Sequence, residues 1–142
     1  MNSNKEMLNY IYQNSQMGVN TIEQLLKISD DENFKKHLQS QMEEYRSINN
    51  RAVGIIKDLG LEEKGVGTVA EISAYMMINM KTLMDKSSSH IAEMMINGST
   101  MGIIQATRAL KKYKDTDKDI NSLMNKLIET EENNFQQLKK FL

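Results

Sequence analysis

None of the 142 residues is proline, and that absence constrains the chain more than any other feature of it. Proline ends a helix by deleting an N–H donor and clashing with the turn before it, so a chain without it carries helices limited only by their caps and loops. Leu, Ile, Met, Lys, Glu and Gln are plentiful and Val is scarce, which favours helix over strand. The expected class is all-α.

Ser3-Asn4-Lys5-Glu6 has the form of a capping box and predicts the start of a first helix. Its apolar stripe, Leu8, Ile11, Ile22 and Leu25 with Ser15 and Gly18 interrupting, stops at Ser29-Asp30-Asp31-Glu32, which reads as a second capping box. The second helix carries Phe34, Leu38, Tyr45, Ile48, Ala52, Ile55 and Leu59, with Gln41 among them. Gly60 supplies the left-handed residue that ends this helix, and Leu61 is placed to pack back as in a Schellman cap. At 1.5 Å rise per residue each helix is about 40 Å long.

Residues 60–67, GLEEKGVG, form the one convincing loop, holding three of the seven glycines. Thr68-Val69-Ala70-Glu71 then opens a shorter helix with Val69, Ile72, Met76, Met80 and Leu83 on its stripe, and 85–89 reads as a break with a Ser cap. A third long helix runs from about Ser88 to Tyr113, a turn follows at 114–117, and the last helix carries Ile120, Met124, Leu127, Phe135, Leu138 and Leu142. The four long helices make two antiparallel hairpins joined by residues 60–86. A connection containing a helix of about 25 Å can cross a whole bundle, which leaves the second and third long helices parallel. The expectation is one domain over 1–142, a four-helix bundle with a long crossover containing a short helix.

Eighteen basic against 19 acidic residues, with no basic run longer than two, leave no electrostatic footprint for nucleic acid or an anionic membrane surface. The absence of Cys removes disulfides and thiol chemistry. The start MNSNKEMLNY has no basic region followed by an apolar run, and no apolar stretch is long enough for a membrane span. A soluble cytoplasmic protein is expected. There is no Gly-x-Ser-x-Gly, Walker loop or Gly-x-Gly-x-x-Gly, so no catalytic residue is assigned and the reading leans away from an enzyme.

What interrupts the stripes is more informative. Glu131 lies at the centre of the last helix's apolar arc, one turn from Leu127 and from Phe135. Counting outward from the first turn puts Ser15 opposite about residue 44 and Gly18 opposite Gln41; counting from 114–116 puts Glu131 opposite about residue 99, beside Gly98 and Ser99. Ser15, Gln41, Gly98 and Glu131 are therefore expected in one polar layer about 15 Å from one end of the bundle. A carboxylate on an apolar face costs several kcal/mol unless paired or protonated, which makes Glu131 the best functional candidate. The favoured role is structural, with Glu131 hydrogen-bonded to Ser99, Gln41 or Ser15 and fixing helix register.

One long crossover between two long helical hairpins, with polar residues gathered at one level, resembles the ferritin-like superfamily. Stretches such as QNSQMGVNTIEQLL, INGSTMGIIQATRAL and TEENNFQQLKKFL are similar to small, largely uncharacterised bacterial members of that group. The resemblance implies a di-iron site built from a Glu on two helices and Glu-x-x-His on the other two. Laid on this chain, that pattern falls on Ser15 or Gln16, on Gln41-x-x-Glu44, on Gly98 and on Glu131-x-x-Asn134. Both histidines are missing and at most two carboxylates remain, too few anionic ligands to offset dehydration of a hard metal ion. The leading expectation is a ferritin-like binding or structural protein without a complete di-iron site and without a cofactor. The alternative is a carboxylate-rich iron or manganese site using Glu44 and Glu131 with Gln41, Asn134 and His37.

The remaining features carry bland readings. His37 flanks the second stripe as a lone histidine, and His90-x-x-Glu93 reverses the Glu-x-x-His order, with Glu93 a first-turn acid. Seven of the twelve Met fall between 76 and 101, and thioethers can bind Cu(I), but flexible Met is an ordinary filler of helix contacts. Ile96, Met101, Ile103 and Ile104 lie off the third long helix's central line, and Met77, Ile78 and Met84 do so on the crossover helix. A homo-oligomer, most simply a two-fold dimer through those two helices, is expected to cover them.

Overall fold

The computed structural model describes residues 3–61 and 83–142. Among them are four α-helices, α1 (Ser3–Ile28), α2 (Glu32–Asp58), α3 (Ser88–Lys112) and α4 (Lys118–Leu138), then a 3-10 turn at Lys139–Phe141, and no strand. The short helix expected from Thr68, with Met76, Met77, Ile78 and Met80, lies outside the described residues.

Local chemistry sets the helix ends. Ser29 does not cap α2: its hydroxyl donates back to Leu25 O at 2.7 Å, and the cap is Asp31, whose Oδ1 accepts from Asn33 N and Phe34 N. The Asp carboxylate two residues later reaches the orphan N–H groups that Ser29, still in the last turn of α1, cannot. At the other end Gly60 has φ +67°, its N–H donates to Lys57 O, and Leu61 N–H donates to Ile56 O at 2.9 Å. That pair of bonds is a Schellman motif, as the sequence predicts. Ser87 Oγ accepts from His90 N at the start of α3 and Asp85 Oδ1 accepts from Ser87 N, so the break at 85–89 is a Ser-capped entry. The last helix stops at Leu138, and Leu142 lies on an exposed tail rather than on its stripe.

Contacts between helices fix their directions. Tyr10 on α1 donates to Gly102 O on α3, while further along α1 Gly18 meets the cavity wall formed by Gly98 on α3, so these helices are antiparallel. Asp117 N–H at the head of α4 donates to Asn4 Oδ1 at the head of α1, so those two run the same way. With α1/α2 and α3/α4 packed as hairpins, α2 and α3 are parallel, and the chain leaves α2 and enters α3 at opposite ends of the bundle.

The core is filled by Leu8, Ile11, Ile22, Phe34, Leu38, Ile91, Ile120 and Leu127, all at most 1% exposed. Two stripes differ from expectation. On α2 the buried line passes from Ala52 to Ile56, leaving Ile55 half-buried and Leu59 44% exposed. A line advancing by threes and fours must take the extra step of four once the helix has drifted past the core. On α1, Asn9, Gln13, Met17 and Val19 are also buried, so this helix is covered on more than the one face its stripe predicts. Met94 and Met95 pack into the core, whereas Met84 is 95% exposed.

Candidate functional site

Midway along the bundle the apolar packing gives way to polar groups, and they occupy three levels rather than one. At the first, Ser15 Oγ donates to Ile11 O at 2.7 Å and accepts from Asn49 Nδ2 at 3.1 Å, and the same Asn49 amide donates to Tyr12 O. At the second, the Tyr45 hydroxyl donates to Glu131 Oε1 at 2.7 Å. At the third, Gln41 Nε2 donates to His37 Nε2 at 2.9 Å, placing the neutral ring's proton on Nδ1. The expected convergence of Ser15 and Gln41 on Glu131 is therefore corrected. Pairing between α1 and α2 is shifted by about one turn from a count that starts at the loop: Asn49 meets Ser15, and the Tyr45 ring meets Gly18.

Tyr45 is the residue that sequence reasoning missed as a polar partner. It sits on an apolar stripe, where spacing alone gives its ring to the core. The signal was Gly18 on the facing helix: a Cβ built there would lie 2.8 Å from the Tyr45 ring, so only glycine lets the ring cross against α1 and carry its hydroxyl to α4. A buried tyrosine needs a partner for its O–H, and a buried carboxylate needs a donor.

Glu131 is 4% exposed. Burial pushes its carboxyl up to about 7, against the opposing pull of hydrogen bonds from Tyr45 and Ser99. The same desolvation, with the Glu131 charge added, holds Tyr45 well above the ordinary phenol value and raises Tyr10 as well. Desolvation, helped by the Lys140 charge, lowers His37, whose ring also lies 5.4 Å from that of Phe141. Three buried groups of α2 and α4, Gln41 Oε1, Thr130 Oγ1 and Asn134 Nδ2, have no hydrogen-bond partner among the described residues.

Beside Glu131 lies a cavity of about 50 Å³ between α1 and α3. Gly98 and Ser99 form one wall, Asn14 and Gly18 the other, and Met17, Ile22 and Met95 supply its apolar surface. The small central line of α3, Gly98 and Gly102, keeps side chains out of this space.

The candidate metal set is not brought together. Glu44 is exposed while Glu131 is buried, His37 is turned to Gln41 and Phe141, and Gly98 has no ligand atom to offer. Among the described residues no group of three or more His, Asp or Glu side chains could hold a metal ion. The donors to Glu131 are two hydroxyls, those of Tyr45 and Ser99, a set that does not fit a di-iron group. His90, like Glu93, stays outside this region; its backbone N–H serves the α3 cap and Glu93 faces solvent.

No family model, no curated protein and no solved structure matches this chain. No helix among the described residues is long and apolar enough to cross a membrane.

Proposed function

We propose that this chain is a ferritin-like four-helix-bundle protein that acts without catalysis, as a cytoplasmic binding or structural protein lacking a complete di-iron site. The observation that carries the reading is the commitment of Glu131: the core carboxyl is bonded to Tyr45 and Ser99 beside a small cavity, and its would-be metal partner Glu44 faces solvent. A carboxyl held by hydroxyl donors and pushed toward its neutral form is a poor ligand for a hard cation, because binding must first strip both the proton and the donors. The test is metal analysis of protein purified without chelator, followed by Fe(II) and Mn(II) titration. Substoichiometric metal and no saturable uptake are expected; stoichiometric tight binding with oxidase activity overturns the reading.

Assembly into a homo-oligomer belongs to the same proposal. Ile104 is 47% exposed, Met84 95%, and Ile103 and Ile104 line a surface groove with Phe135 on the outer side of α3 and α4. Apolar side chains grouped in this way are ordinarily covered. Light scattering at micromolar concentration should give a multiple of 16.3 kDa, reduced by Ile104→Glu; a mass that stays at 16.3 kDa on concentration overturns it.

A further inference from the structure

Two hydroxyls at the cavity, those of Tyr45 and Ser99, direct their protons at Glu131, the Asn14 amide donates to the Tyr10 hydroxyl, and Thr21 adds a further hydroxyl to the lining. Among the described residues no Lys or Arg lines the space. The carboxyl group of Glu131 is thus an acceptor at the edge of a cavity whose remaining surface is largely Met17, Ile22 and Met95, with half-buried Thr21 at the rim. An occupant has to bring its own N–H donors, a charge complementary to a carboxylate, and a short apolar end. About 50 Å³ holds roughly three to five non-hydrogen atoms.

We propose that this cavity binds a small primary amine in its ammonium form, with its N–H groups on the Glu131 carboxylate and its alkyl end against Met17, Ile22 and Met95. The proposal rests on the reading of the layer as a ligand pocket rather than a metal centre. Glu131 must be ionised in the complex, so below about pH 7 each binding event releases one proton from its carboxyl to solvent. Among the described residues, the titratable groups acting on Glu131 are Tyr10 from α1 and Tyr45 from α2, the charge of exposed Glu44 reaches Tyr45, and α3 presents the Ser99 hydroxyl. Both tyrosines titrate far above neutrality, so Glu131 sets the pH dependence.

The experiment is calorimetric titration of methylammonium chloride into the full chain, at pH 8 and pH 6 and in buffers of different ionisation enthalpy. Saturable one-to-one binding is expected, no tighter than about millimolar for a ligand of two non-hydrogen atoms. Affinity should fall about tenfold from pH 8 to pH 6, with one proton released per ligand at the lower pH. Tetramethylammonium, which has no N–H, and ethanol, which has no charge, should each bind at least about tenfold more weakly. Glu131→Gln should abolish binding; if that variant does not fold, Thr21→Phe, which fills the rim from a half-buried position, should do so instead. No saturable heat from folded protein at about 100 mM methylammonium overturns the proposal, as does binding that survives both substitutions or ignores pH. A silent methylammonium titration with no Fe(II) or Mn(II) uptake sinks this proposal alone, whereas stoichiometric metal uptake sinks the reading beneath it.

Discussion

The Tyr45 hydroxyl on α2 donates a 2.7 Å hydrogen bond to Glu131 Oε1 on α4, and the tyrosine ring reaches it only because Gly18 on α1 has no side chain. Three helices are thereby tied at one level through two side chains and one missing one. A short bond between a hydroxyl and a buried carboxyl is among the stronger kinds in a protein interior, where no water competes for either group.

Tyr45→Phe keeps the ring against Gly18 and deletes only the donor. The buried carboxyl then lacks its shortest bond, which should cost about 1–3 kcal/mol in denaturant unfolding. The loss should be greater at pH 8 than at pH 5, since the bond matters most to the ionised form. A loss below about 0.5 kcal/mol at both pH values would mean the bond is not maintained in solution.

The pH dependence of stability follows from Glu131 itself. Its folded value of about 7 lies above the ordinary 4.5, so the folded state holds the proton more tightly than the unfolded state. The stabilising contribution is fully present below about pH 4.5 and is lost as pH rises through about 7, a change on the order of 3 kcal/mol. Urea midpoints measured from pH 5 to pH 8 should fall, and Glu131→Gln, which cannot ionise, should flatten the profile. A wild-type profile as flat as the variant's would refute this account.

Two glycines should answer oppositely to alanine. At Gly18 the new Cβ would stand 2.8–2.9 Å from Tyr45 ring atoms, and the ring is held by Glu131, so Gly18→Ala should destabilise by about 1–3 kcal/mol. At Gly54, exposed in α2, nothing lies within 4 Å, so Gly54→Ala should stabilise by about 0.5–1 kcal/mol through helix propensity. Thermal unfolding of the pair checks both signs.

The carboxy-terminal turn covers His37. Phe141 sits edge-to-face on Phe34 at 4.9 Å and 5.4 Å from the His37 ring, and His37 is held below its ordinary 6.5 by desolvation and by Lys140. Phe141→Ala should therefore raise the His37 titration midpoint toward 6.5, readable from its imidazole proton resonances. An unchanged or lowered midpoint would show that the turn does not shield it.

The all-helical class, the turn at 114–117, the Schellman stop at Gly60 and the Ser-capped entry to α3 were legible in the sequence. Caps, turns and stripes are decided by residues within a few positions of one another, so local spacing carries them. The placement of Glu131 on a buried arc beside Gly98 and Ser99 was legible for the same reason, since a 3.6-residue period fixes which face a side chain occupies. Ser99, one of the partners expected for Glu131, does bond it, but which residue of α1 or α2 meets it was not legible. Ser15, Gln41 and Tyr45 all present polar atoms near mid-bundle, and a one-turn shift between α1 and α2 decides among them. That shift is set where Asn49 meets Ser15 and where the Tyr45 ring finds the gap at Gly18, contacts between residues far apart in the chain. The exposure of Glu44 has the same origin: it adjoins Tyr45 in sequence, but the turn of the helix that carries Tyr45 into the core carries Glu44 out to solvent. The sequence by itself determined the helices and their buried faces; only tertiary packing, where a few ångströms of register choose the partners, decided that Glu131 answers to a tyrosine and a cavity instead of a second carboxylate.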